Sequence, residues 1–367
     1  MMKHSISPAL LLAVASLLGA LSVACDKKDT RESDETTKSD AGTTKASKAE
    51  TDEPDLANAL GSVSAARPAP GGSAAPGGPP PAGIFGPGEA DKAAAKGSPA
   101  TLTLGSDGAQ PRVLLGPGPK PGSKRSGTVE LATQSDPQQG AIPIEFALTL
   151  EAQKPKAEAD AGAGALIQVV AKVTAAKINA PGVPADLSAA VAKLKGSRVD
   201  YQVGADGAAS NIHADIPKGV DPGFRDPVQA LSDLLAGVAL PFPTKPVGLG
   251  AYWMVTSRDV VMGLDVVSYR LVKVEKVEGT VVTLSLNTKR YAASSAFELE
   301  GLPPDAPKTM AEFRAQSEGK LTVAVGEAFP KSAELQSLIG AALGAADAKQ
   351  RPMVQVQSRA SLSLAGP

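Results

Sequence analysis

The chain has a single cysteine, Cys25, so no disulfide can form within it. Aromatic side chains are 3% of its 367 residues, with one tryptophan. A core must therefore be built from Val, Leu, Ile and Ala. An outer-membrane β-barrel, which carries aromatic girdles at both interfaces, is not expected. Neither sign of charge dominates: 37 basic residues face 38 acidic ones. No basic stripe offers itself to a phosphate backbone, so a nucleic-acid partner is not expected.

Catalytic and metal-binding patterns are equally sparse. His4 and His213 are the only histidines. On a strand His213 would share a face with Asp215, but a metal site wants further ligands and none lies near in sequence. No Gly-x-Ser-x-Gly elbow accompanies His213. Ser317 and Lys320 match Ser-x-x-Lys, yet Gly319 between them should break the helix that such a pair needs, and a strand is expected from 321 to 325. The glycines and lysines of 116–124 miss the phosphate-loop spacing, and their prolines remove N–H donors. Glu158 and Asp160 lack the spacing of a calcium loop. No catalytic, cofactor or metal residue is assigned, and the chain is read as not an enzyme.

The N-terminus is informative. Lys3 makes a short basic region, and residues 8–24 are almost wholly apolar, a length that suits a signal peptide. Then comes Leu21-Ser22-Val23-Ala24-Cys25. This resembles the lipobox of bacterial lipoproteins, in which cleavage precedes a lipid-bearing cysteine. Ala24 and Cys25 match the family's last two positions, while Ser22 stands where a Leu is usual. The resemblance implies a signal peptide over 1–24, lipid on Cys25, and a place in the cell envelope, on the periplasmic face or the cell surface. Several acyl chains on one residue would suffice for stable anchoring.

Residues 25–98 read as a tether. The first part, 26–55, is charged and rich in Thr and Ser; the second, 61–99, is rich in Ala, Pro and Gly. As a flexible coil about 70 residues long it would reach roughly 45–50 Å. Ile84-Phe85 is an apolar island there, either a chance pair or a short docking segment.

From 99 to 367 the pattern becomes one of strands. Val129 and Leu131 alternate with Thr128 and Glu130; Phe146, Leu148 and Leu150 alternate with Glu145 and Thr149. Near the C-terminus Val354, Val356, Leu362 and Leu364 oppose Gln355, Gln357, Arg359, Ser361 and Ser363. Period two puts one apolar and one wet face on each strand. A meander is expected over 252–256, 265–277 and 280–288, turning at Glu278-Gly279, and a hairpin over 199–212. Helical stripes predict helices at 184–195, 226–239 (with Asp226 as N-cap) and 332–343. The expected fold class is thus α+β: a curved, mainly antiparallel sheet packed on two to three helices. The segment from Pro241 to Trp253 loosely resembles a stretch in uncharacterised bacterial lipoproteins, which implies no activity.

These patterns favour a non-enzymatic binding domain on a membrane anchor, with an apolar or lipid ligand held between helix and sheet by Leu231, Leu234, Leu235, Val238 and Trp253. The alternative is a structural or assembly lipoprotein whose wet sheet face binds another envelope protein or glycan. A hydrolase using unpaired carboxylates is the third reading.

Overall fold

The structure, a computed structural model, describes residues 80–116, 120–134, 141–153, 166–204, 206–221, 224–261, 264–297, 307–327, 329–344 and 353–365. Cys25, the signal segment and most of the tether lie outside the described residues.

The strands are β1 (Thr101–Ser106), β2 (Lys124–Gln134), β3 (Ile142–Ala152), β4 (Ile167–Ile178), β5 (Arg198–Val203), β6 (Ala209–Asp215), β7 (Tyr252–Val261), β8 (Leu264–Glu278), β9 (Val281–Ala292), β10 (Met310–Ala324), β11 (Ser332–Leu343) and β12 (Met353–Leu364). They form one sheet in the order β1-β7-β8-β9-β10-β11-β12-β2-β3-β4-β5-β6. Every neighbouring pair is antiparallel. Among the described residues the α-helices are α1 (Glu89–Ala93), α2 (Ala185–Ala192) and α3 (Arg225–Val238). The protein is nearly all β, which corrects the expected α+β class.

The main source of that difference is β11. Its Leu335, Leu338, Ile339 and Ala342 line up at helical spacing, but Ala333, Leu335, Ser337, Ile339 and Ala341 also alternate. The segment pairs along its length with β10 on one side and β12 on the other. Two full ladders satisfy the backbone on both edges, and tertiary pairing of this kind overrides local propensity. Gly340 in mid-segment weakens the helical alternative further. Likewise Gly319 does not end an element. It sits inside β10, where a Cβ would lie 2.1 Å from the Glu334 carbonyl oxygen. Close approach of two strands, not a break, is what it serves.

A flat sheet of twelve strands would span about 50 Å at ~4.8 Å per step. The 14-residue α3 is only about 21 Å long. Yet one apolar core joins α3 to side chains from all twelve strands. The sheet must therefore curl around α3. Its two ends meet at 239–243: Phe242 N–H donates to the Asp206 carbonyl in the β5–β6 turn at 2.8 Å, and Trp253 Nε1 of β7 donates to the Pro241 carbonyl at 3.2 Å. α3 begins at Arg225, with Phe224 at its N-cap position and no side-chain cap, rather than from a cap at Asp226.

Ile84 and Phe85 dock. Phe85 N–H donates to the Ala292 carbonyl at 2.9 Å, and Phe85 meets the Tyr291 ring edge-on at 6.0 Å. Ile84 joins a second, smaller core with Val266, Ala292, Met310 and Phe313. α1 is clasped nearby. Arg258 donates to both carboxylate oxygens of Asp265, at 2.7 and 3.0 Å, and to Asp91 at 2.8 Å and the Ala94 carbonyl at 3.1 Å. Its side chain is only 9% exposed; the bonds to Asp265 and Ala94 are part-buried, while Asp91 is 65% exposed. Arg258→Ala should loosen the strap by about 1–2 kcal/mol. Amide exchange at Phe85 and Ala94 should quicken about 5- to 30-fold while the sheet interior is unchanged. Equal protection in wild type and variant would show that apolar docking alone holds the strap.

Candidate functional site

The five residues expected to line an apolar ligand site are brought together, but as packed core. Leu231, Leu234, Leu235, Val238 and Trp253 are all buried in the main cluster. Val238 lines a small space of about 50 Å³ together with residues such as Leu150, Tyr201, Leu240 and Leu362. Drug-sized ligands occupy sites of about 300–1,000 Å³.

A larger feature lies on the opposite face of the sheet. A groove of about 480 Å³ crosses β9, β10, β11, β12 and β2. Strand register builds most of it from two rows, and Ser317, Ser337 and Ser358 of the row between them also border it. One row runs Asn287, Glu318, Gln336, Arg359, Ala132; the next runs Lys289, Gln316, Leu338, Gln357, Gln134. In β9 and β10 these positions have the parity opposite to the buried Leu284, Leu286, Leu321 and Val323, so they point away from the core. Five carboxamides share the floor with two cations and one carboxylate. A planar amide both donates and accepts, so the surface can read hydroxyls and amides of either polarity. The second row continues into Tyr269, opposite Lys289 on β8. Tyr269 and Tyr291 stack edge-on at 5.8 Å beside the docked Phe85. Burial pushes both tyrosine hydroxyls up and the Lys289 ammonium down.

The core face also carries polar groups. On β7, β8 and β9 the inward parity that holds Trp253, Val272 and Leu286 goes on to Ser257, Asp259, Ser268, Arg270, Thr288 and Arg290. Asp233 of α3 joins them. Burial raises its carboxyl to about 6, against a hydrogen bond from Gln229 and attraction by Arg290 that lower it, while repulsion by Asp259 adds to the rise. Desolvation pushes both arginines down from their usual range.

His213 and Asp215 lie exposed on β6. No group of three or more metal-ligating side chains occurs among the described residues. Ser317 and Lys320 sit three apart on β10, so they face opposite sides of the sheet and cannot form a Ser–Lys pair. Glu158 and Asp160 fall outside the described residues. No described helix is long and apolar enough to cross a membrane.

Sequence reading missed the groove and the inward polar cluster. The wet parity of β12, Gln355, Gln357 and Arg359, signalled half of the groove. Ser268 and Arg270 at apolar parity in β8, between Val266 and Val272, signalled the cluster. No protein-family model matches the chain, and no curated protein matches it.

Proposed function

We propose that the chain is an exported lipoprotein, anchored in the cell envelope by lipid on Cys25, whose folded part is a non-enzymatic binding domain for an envelope glycan. The observation that carries this reading is the two-row amide floor of the outward groove. Its volume of about 480 Å³ lies within the range of small-ligand sites and suits one to a few sugar units. Planar amides and mixed charges match ring hydroxyls and acetamido groups. Tyr269 and Tyr291 add an amphipathic edge of the kind that packs on a sugar face. The tether would let the domain reach away from the membrane.

An apolar or lipid ligand is the second reading, carried by the small aliphatic space at Val238. Such a ligand would have to displace packed side chains of the main core.

Two measurements test the proposal. Cys25→Ser should abolish fatty-acyl labelling of the full-length chain and leave an unprocessed precursor. Gln336→Leu with Gln357→Leu should weaken sedimentation with purified peptidoglycan about 5- to 100-fold, since each lost net hydrogen bond costs about 0.5–1.5 kcal/mol. Both side chains are exposed, so the unfolding midpoint should hardly move. Undiminished sedimentation in the double variant would sink the glycan reading; a labelled Cys25→Ser chain would sink the anchor.

A further inference from the structure

The geometry points to a second binding site on the inner face of the sheet: an oxyanion site formed by Arg270 and Arg290, for a ligand bearing a phosphate, sulfate or carboxylate group.

Register puts the two guanidinium stems on adjacent strands with the same inward parity. Arg270 stands opposite Thr288, and Arg290 stands opposite Ser268. Arg270 is 8% exposed and Ser268 fully buried. Arginine stays protonated in proteins, so both bring full charge into a desolvated space. Among the described residues, the ion pairs within 4.0 Å include neither arginine. Asp259 accepts a hydrogen bond from Ser257 at 2.7 Å and acts on the arginines only as a nearby charge. Arg290 Nε and Ser268 Oγ are buried with no hydrogen-bond partner. Buried donors are rarely left unmade, and uncompensated buried charge costs several kcal/mol. An oxyanion between the two guanidiniums supplies what is missing: several acceptor oxygens and negative charge, in the forked geometry that arginine favours.

The inward row that starts at Arg270 and Thr288 continues through Ser317, Ser337 and Ser358 on β10, β11 and β12. These three serines are half-buried, not sealed. The Ser337 and Ser358 hydroxyls hydrogen-bond each other at 2.5 Å, and all three serines also border the groove.

Asp233 sets when the site is open to an anion. The charged groups acting on it are Arg290 and Asp259. Of the strands packed on α3, β6 and β2 contribute Ala214, Val129 and Leu131 to the core, and β11 sets Leu335 against Gly237. Protonated Asp233 leaves two guanidiniums against the single carboxylate of Asp259. Ionised Asp233 competes with the ligand for Arg290. Anion binding should therefore be tighter at pH 5 than at pH 8.

Inorganic sulfate is the probe, because its charge is the same at both pH values; titration is followed by calorimetry on the folded chain. Wild type should bind it about tenfold more tightly at pH 5. Arg290→Gln and Arg270→Gln should each weaken it at least tenfold. Should either variant fail to fold, Asp233→Asn carries the test, since it should hold the pH 5 affinity at pH 8. Dihexanoyl phosphatidate against dihexanoyl phosphatidylcholine, both below micelle formation, separates the sources. Preference for phosphatidate over sulfate makes the ligand a lipid headgroup, and equal affinity makes it a free anion. No binding to wild type at pH 5, or sulfate binding unchanged in both Arg290→Gln and Asp233→Asn at either pH (an adventitious ion only), overturns the proposal.

Discussion

Trp253→Ala should destabilise the folded domain by about 3–5 kcal/mol, the range for removing a large buried aromatic side chain. Trp253 is fully buried. It is the only tryptophan in a chain with few bulky rings, so nothing comparable is at hand to refill the space. Its indole N–H also ties β7 to Pro241 on the segment that joins the two ends of the curled sheet. The variant would leave that carbonyl without its donor as well as opening a cavity. Against a total stability of about 5–15 kcal/mol this is a large fraction. The melting midpoint should fall by roughly 6–20 °C, read by far-ultraviolet circular dichroism because the fluorophore is gone. Leu249→Ala, at a side chain 55% exposed, is the control and should stay within about 0.5 kcal/mol. A loss below about 1 kcal/mol at Trp253 would mean the sheet closes without this anchor.

Asp233→Asn should change the pH dependence of stability by about 2–3 kcal/mol. In an unfolded chain an aspartate titrates near 3.9; in the fold, burial raises Asp233 to about 6. The folded protein thus holds this proton more tightly than the unfolded one. The resulting stabilisation is fully present below about pH 4 and is lost as pH rises through about 6. Each unit of difference is worth 1.36 kcal/mol. Asparagine carries no charge at any pH, so subtracting the variant's stability curve from that of wild type isolates this one group. Wild type should lose ground to the variant between about pH 4 and 6.5, and above pH 7 the variant should be the more stable. Parallel urea-unfolding curves across that window would show that Asp233 is well solvated.

What the sequence made legible follows from what each signal depends on. Alternation in β2, β3 and β12, and the stripe of α3, are local patterns driven by burial, and they reappear at nearly the expected positions. The 332–343 segment carried both periods at once, and only pairing with β10 and β12 decides between them. The same holds for the functional surfaces. Gln134, Asn287, Gln316, Gln336 and Gln357 lie on five strands scattered along the chain, and register alone sets them side by side. Arg270 and Arg290 form a pair only because β8 and β9 align them. The five expected ligand contacts all lie in the packed core, and the space beside Val238 is about 50 Å³. Few aromatics did not mean an unfilled core, because curling gathers aliphatic side chains from every strand into one core with α3.

The amide floor of the outward groove, and not the aliphatic space at Val238, is the proposed glycan site. Hydrogen–deuterium exchange, with and without soluble peptidoglycan fragments, tests it most directly. Slower exchange is expected at 287–289, 316–318, 336–338 and 357–359 alone, with α3 unchanged. Protection spread over 228–238 and 253–255 with none on β10–β12, or no protection anywhere at saturating fragment, would contradict it.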